Sequence, residues 1–442
     1  MKRNFIFALL TVVLLPQFSS AQNALTLDEA VKKALGTSPA IQKSEARIYE
    51  TKWKKRELYS AFLPSLSATG THLLSKEYVL NSVPIGGSPI PSVIPIIVPD
   101  TNLIFSAQYP LFDGLILFDR WSAANHSIEA ADYESIWAKF RIQRDVELAF
   151  YKTIAAQQLL AVAEQNVKTL LDHLRDVQLF QKSGMSTKYD VLRVEVQLSD
   201  AQNDILAAQD QIVIWKNKLA EVMGQTEPVN EVIGTLPVVE GSALSVKKET
   251  PRDNRTDLLA LKERTMELNS TRKVSAHYWF PKFYLFGQYQ VYNNINDELF
   301  DSDAFKDAYQ LGVMMQWNIF DGALSIARAK QASYQKAQAE QTLREATLRA
   351  GVDEETLRRK FQYFSAVYRS KLEDVKRSTE SVRLAKEGRR VGVRTSTELL
   401  DAELDLFKSQ AAVVNAQIGG IESLIQYELA TGENLLSPGE KI

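Results

Sequence analysis

The sequence predicts a mainly α-helical fold made by tandem duplication, with strands of the length and pattern of a membrane β-barrel. Three observations predict it. Residues 184–202 (GMSTKYDVLRVEVQLSDAQ) and 392–410 (GVRTSTELLDAELDLFKSQ) say nearly the same thing, 208 residues apart. Tyr109-Pro-Leu-Phe-Asp-Gly114 returns as Trp317-Asn-Ile-Phe-Asp-Gly322 at the same offset, and 70 residues separate Gly114 from Gly184 and Gly322 from Gly392. Between Leu115 and Ser183 there is neither proline nor glycine. At ~1.5 Å per residue such a helix approaches ~100 Å, longer than a compact domain of this size accommodates. The repeated unit is therefore strand, turn, long helix, turn, helix.

The chain has 442 residues, 45% hydrophobic and 24% charged, with a net charge of −2. That composition supports a large core and gives no sign of a nucleic-acid partner. Cysteine is absent, which excludes disulfides, thiolate metal sites and lipid attachment at an N-terminal cysteine.

Residues 1–21 are expected to be a secretory signal. Lys2 and Arg3 precede the apolar run Phe5–Leu15, and Ser19-Ser-Ala21 supplies small residues at the cleavage position. A membrane anchor helix is the alternative, but the run is too short to span. The remaining chain has no apolar run near the ~20 residues a membrane helix needs. An exported protein of this kind is either soluble beyond the inner membrane or embedded as a barrel.

The first repeat is expected to cover residues 22–222. It opens on a helix at about 25–62, begun by the capping box Thr26-Leu-Asp-Glu29 and ended by Pro64. The counterpart of that helix is about 255–279, stopped by Pro281. Here the offset is 217, so the first half carries nine extra residues before its Phe-Asp-Gly turn. They fall in Val83–Pro99, which holds Pro84, Pro89, Pro91, Pro95 and Pro99 and is read as a long surface loop joining two strands.

The strands alternate. Ser65, Ser67, Thr69 and Thr71 face away from Leu66 and Ala68, while Leu103, Phe105, Ala107 and Tyr109 share a face. In the second half Phe283, Leu285, Tyr289 and Val291 alternate with Lys282, Gln288 and Gln290. Tyr309, Leu311, Val313, Met315 and Trp317 alternate with Gln310, Gln316 and Asn318. Each strand is about 10 residues long, the length of a tilted barrel strand. Ordinary surface hairpins give the same alternation, so pattern alone leaves both readings open.

The helix seams are sharper. Positions 191, 194, 198, 201, 205, 208, 212, 215, 219 and 222 are all apolar, a strict 3-4 spacing. Ala156, Leu160, Ala163, Val167, Leu170, Leu174 and Val177 continue it on the first long helix. Leu399, Ala402, Leu406, Val413 and Ala416 repeat it in the second half. Gly351 is the irregularity in the middle of the second long helix and a candidate bend. Residues 223–254, with three prolines and three glycines, are expected to link the repeats. The second repeat covers 255–432, and 433–442 form a short polar tail.

Four strands do not close a barrel, and an open edge is not tolerated in lipid. Transmembrane strands would therefore require several copies, and a ring of strands continuous with a ring of helices is a tube. At this point the sequence resembles the TolC-type outer-membrane efflux proteins, also called outer membrane factors. The resemblance rests on Leu25-Thr-Leu-Asp-Glu-Ala-Val-Lys-Lys-Ala-Leu35, Phe-Leu-Pro64, Trp-Phe-Pro281, the paired Phe-Asp-Gly turns and the paired tips Gly184–Leu192 and Gly392–Leu400. It covers essentially the whole chain beyond the signal.

The resemblance implies a homotrimer in outer-membrane lipid. Twelve strands would form a β-barrel continuous with a twelve-helix α-barrel across the periplasm. It implies a passive exit duct of a tripartite efflux system, docked to a periplasmic adaptor and through it to an inner-membrane pump of RND or ABC type. It implies no catalytic cycle and no cofactor. Acids at the tips line the closed periplasmic aperture in that family, and the matching residues here are Asp190, Glu398 and Asp401, with Arg394 as the basic member. A tyrosine common just before the second tip glycine is replaced by Arg389, so the contacts of this aperture are expected to differ in detail. The tips also make Lys182, Gly184, Met185, Thr187, Arg390, Gly392, Val393 and Thr395 the expected adaptor-docking surface.

Plain structure accounts for several of these residues too. Thr187-x-x-Asp190 and Thr395-x-x-Glu398 are capping boxes, and Asp113 and Asp321 are turn or cap residues. His72, His126, His173 and His277 show no metal-ligand spacing. Two other functions remain open at this point: an exit duct for a secreted polypeptide, and an exported soluble coiled-coil structural protein.

Overall fold

The computed structural model describes residues 24–75, 79–83, 92–96, 99–239, 255–296, 298, 299 and 301–435. The expected signal segment, residues 240–254 of the linker and residues 436–442 of the tail lie outside the described residues.

The long helices come out as the sequence spacing requires. Helix α3 (Ile116–Lys182) and helix α6 (Leu324–Arg390) are each 67 residues long and begin and end 208 residues apart. Their return partners are α4 (Lys188–Val222) and α7 (Ser396–Thr431). Gly351 does not interrupt α6. Each Phe-Asp-Gly turn starts a long helix in the same way. Gly114 and Leu115 take left-handed backbone angles (φ 79° and 66°), as do Gly322 and Ala323 (φ 70° and 65°). The Asp113 carboxylate then accepts the Leu117 N–H (2.6 Å), and Asp321 that of Ser325 (2.8 Å). These aspartates are caps, which satisfy N–H groups a helix start leaves free.

The 3-4 seams are where the helices touch. Each of the ten α4 seam positions is buried or half-buried. In the first hairpin Leu170, Val177, Val191, Val194 and Ala201 form a core that also takes in Leu400 of α7. The second hairpin closes on Val382, Ala385, Leu399 and Ala402.

The expected single N-terminal helix is two. Helix α1 (Leu27–Thr37) stops at Ser38, and α2 (Pro39–Glu57) restarts with Pro39 in its first turn. Proline has no N–H to donate and disfavours helical backbone in the residue before it, so Ser38 is extended (φ −60°, ψ 125°). Helix α5 (Thr256–Ala276) is the counterpart in the second half.

Midway along the long helices lies the largest core. Val146, Phe150 and Ile154 of α3 meet Leu219 and Met223, Phe361 of α6, and Ile421 and Ile425 of α7. Ala30 and Ala34 of α1 and the strap Val232, Leu236 and Val239 wrap this belt. Fully buried Arg144 lies 2.7 Å from Glu428 and 2.8 Å from Glu147, so α3 is also tied to α7 by charge.

Four strands form one antiparallel sheet in the order β1 (Ser65–His72), β4 (Thr101–Phe112), β5 (Lys282–Asn293), β6 (Phe305–Gln316). The two repeats join through β4 and β5. The Val83–Pro99 segment is not all loop. Strand β2 (Val79–Val83) pairs with β3 (Ser92–Ile96) as a separate antiparallel ribbon, while residues 84–91, 97 and 98 lie outside the described residues. Both strands of a ribbon are edges, so Pro95 is accommodated where a central strand would lose a ladder bond. Trp317 and Asn318 fall beyond the end of β6, where the Trp317 indole N–H donates to the Trp279 carbonyl (3.1 Å).

Candidate functional site

Two places carry the features expected of function, the sheet and the hairpin tips. In the sheet, register keeps the alternation of all four strands in phase. Leu66 pairs with Ala107, Ala107 with Gly287 and Gly287 with Leu311, so one face is apolar. Ser67, Ser106, Gln288 and Gln310 pair across the other face, where Gln310 donates to Gln288. The apolar face is uncovered: Tyr309 is 84% exposed, Leu311 75% and Val313 63%. Among the described residues no helix is long and apolar enough to cross a membrane.

The first tip follows from three local choices. Gly184 takes φ 77°, which a side chain disfavours, and its N–H bonds back to Gln181 (3.0 Å). Met185 donates to Phe180 (2.8 Å), ending α3. Thr187 then caps α4: its hydroxyl accepts the Asp190 N–H (3.2 Å), and Asp190 accepts the Thr187 N–H (2.9 Å) and the Ser186 hydroxyl (3.1 Å). The second tip repeats this. Gly392 has φ 81°, and Thr395 and Glu398 form the reciprocal box at 3.2 and 2.8 Å. Both acids are held below the usual carboxylate range. For Asp190 the first cause is the Thr187 backbone N–H, and for Glu398 that of Thr395.

Lys182, Met185, Arg390 and Val393 surround these turns, with Met185 69% and Val393 77% exposed. The expected aperture residues fall into separate groups. Arg394 binds Glu398 within its own tip (3.2 Å). Arg389 instead stacks on Phe180 of the first hairpin, with its guanidinium carbon 5.0 Å from the ring centre. Asp401 reaches across to Arg193 of α4 (2.8 Å).

Two functional candidates were not found by sequence reasoning. Arg193 is one. The other is a buried joint in which His173 of α3 bonds Glu403 (2.8 Å) through Nδ1 and the Ser396 hydroxyl (3.0 Å) through Nε2. Alignment of the repeats would have paired position 193 with 401, whereas nothing in the linear sequence joins 173 to 403. The other histidines also have partners: Thr101 for His72, Glu263 for His126 and Asp119 for His277. Donor atoms of His126, Glu129 and Glu263 lie within 4.8 Å of one another across α3 and α5, a grouping the histidine spacing does not reveal.

A duplicated, helix-dominated chain with an open four-stranded sheet has the fold of outer-membrane channels of known structure. The chain belongs to the outer membrane efflux protein family, whose model matches residues 30–225 and 250–433. It is similar in fold to VceC of Vibrio cholerae, with 18% identity over 92% of this chain and 96% of that one and a TM-score of 0.72. CmeC of Campylobacter jejuni is 12% identical over 98% and 94%, with a TM-score of 0.73. The Neisseria gonorrhoeae MtrE channel, solved in its open state, is 18% identical over 92% and 89%, with a TM-score of 0.74. A search of curated protein sequences finds no match.

Proposed function

We propose that three copies of this chain form a passive duct through the outer membrane, exporting small molecules delivered by an inner-membrane pump and a periplasmic adaptor. The single observation that carries this reading is that one chain leaves matching surfaces unpaired at both its ends. Strand β1 has one open edge and β6 the other. The helices have the same problem. Inside the chain, α3 of the first hairpin packs on α7 of the second. Under the duplication its counterpart is α6 packing on α4, and among the described residues these two helices share no comparable packing. The sides left free are apolar: Val196, Leu206 and Val213 of α4, and Leu348, Val352 and Tyr363 of α6, each at least 54% exposed.

Joining β6 to β1 and α6 to α4 of the next copy is a head-to-tail contact, which closes into a ring when the rotation fits. Three copies give twelve strands and twelve helices of the long hairpins. The apolar sheet face would then meet lipid and the serine- and glutamine-bearing face the lumen. At ~1.5 Å per residue, helices of this length reach ~100 Å below the membrane, so the tips would meet the adaptor. Family membership and the resemblance above support the export role and the partners.

The test is removal of the protein from cells that hold its adaptor and pump. The duct reading expects sensitivity to small toxic compounds to rise with the secreted proteins unchanged. Loss of one secreted polypeptide at unchanged sensitivity would overturn it in favour of polypeptide secretion.

A further inference from the structure

Because the chain is two copies of one unit, any contact between the copies has a counterpart, found by exchanging each residue for its equivalent 208 positions away. For most contacts the counterpart uses different residues. The His173–Glu403 joint of α3 and α7 becomes Ser381 on α6 and Glu195 on α4. One contact maps onto itself. Arg193 in the second turn of α4 binds Asp401 in the second turn of α7, Nη2 to Oδ1 at 2.8 Å, and 193 and 401 are the same position of the two repeats. Exchange returns the same pair, approached from the other side of α7.

We propose that Arg193 and Asp401 build one ring of six alternating charges near the hairpin tips, each Asp401 held by Arg193 of its own chain and by Arg193 of the partner subunit. The ring rests on the trimeric duct proposed above. The state of the side chains supports it. Asp401 uses one carboxylate oxygen and its side chain stays 55% exposed, while Arg193 uses one terminal nitrogen and stays 34% exposed. A guanidinium has five N–H groups and a carboxylate two oxygens, so each has capacity for a second partner. Among the described residues Arg193 is the only ion-pair partner of Asp401. The other tip acids are engaged inside their own hairpins, Asp190 by Thr187 and Ser186, Glu398 by Thr395 and Arg394.

An alternating ring has no net charge, and removing one sign leaves three like charges facing a common axis. The reversal potential of the purified channel under a potassium chloride gradient reads this directly. Relative to the parent, Asp401→Asn is expected to shift it toward anions and Arg193→Gln toward cations. The double variant is expected to return to the parental value. A shift for Asp401→Asn with none for Arg193→Gln would mean a ring of acids alone and would overturn the proposal, as would no shift in either.

The absence of native cysteine allows an independent check. Alternation places position 193 beside 401, never beside another 193. Chains carrying Arg193→Cys and Asp401→Cys, co-expressed and mildly oxidised, are expected to yield a covalent dimer, and neither variant alone should. A dimer from Asp401→Cys alone, or none from the mixture in a particle of three-chain mass, overturns the ring. A particle of any other mass overturns the duct and the ring with it, and the mass separates the two failures.

Discussion

At the residue scale, the tips rest on caps whose cost of removal is known. Loss of an N-cap hydroxyl typically destabilises by about 1 kcal/mol. Thr187→Ala and Thr395→Ala are each expected to speed amide exchange in the first turn of α4 or α7 about fivefold, and unchanged exchange would contradict the caps. The acids give the pH dependence. Asp190 and Glu398 have folded-state pKa values below those of free carboxylates, near ~4. Their stabilisation is therefore complete above that range and is lost as pH falls through the depressed values. Protection of the tip amides, taken relative to the intrinsic exchange rate at each pH, should be flat from neutral pH down to about 5 and fall only below about 4. Paired loss of the acids tests their expected place at the aperture: if Glu398 and Asp401 line it, Glu398→Ala with Asp401→Ala raises single-channel conductance, and unchanged conductance would count against that placement. Caps were legible because Thr-x-x-Asp and Thr-x-x-Glu act within four residues. Arg193 was not, because its partner lies 208 residues away and only the folded hairpins bring them together.

At the element scale, two hairpins stand side by side and the joint between them is polar as well as apolar. His173 and Glu403 are nearly inaccessible, with side-chain exposures of 1% and 5%, and Lys386 approaches Glu403 at 3.6 Å. Removing one partner of a buried pair costs about 3 kcal/mol or more. His173→Ala is thus expected to raise amide exchange around Ser396–Leu406 on the order of 100-fold, and an unchanged pattern would show that the joint is not held there. The tip turns invite a second comparison. A Cβ at Gly184 or Gly392 meets no atom within 4 Å, yet both glycines are left-handed. Glutamate at both is expected to abolish transport without lowering trimer yield, while asparagine, which tolerates this backbone, should retain it. Loss of trimer with glutamate would sink the docking role. The long helices and seams were readable from a 3-4 apolar pattern. The β2–β3 ribbon was not, because five prolines argue against a strand and only edge pairing admits Pro95. The break at Ser38–Pro39 is marked in the sequence by a single proline, against a helical pattern that continues on both sides of it.

At the scale of the whole molecule, duplication is the fact from which the rest follows. It was legible because sequence similarity between the halves survives at the turns and tips, where glycine and capping residues are hard to replace. The order of strands in the sheet was not legible, since β4–β5 pairing joins residues about 180 apart with no pattern to mark them. One chain ends in an open strand at each side of its sheet and an uncovered apolar side on α4 and α6, and a closed ring of copies removes all four at once. The most direct measurement is the mass and conductance of the protein purified from membranes. The account predicts a heat-sensitive particle of three chains that conducts ions across a planar bilayer. A water-soluble monomer or dimer without conductance would contradict it and leave only a duplicated coiled-coil hairpin.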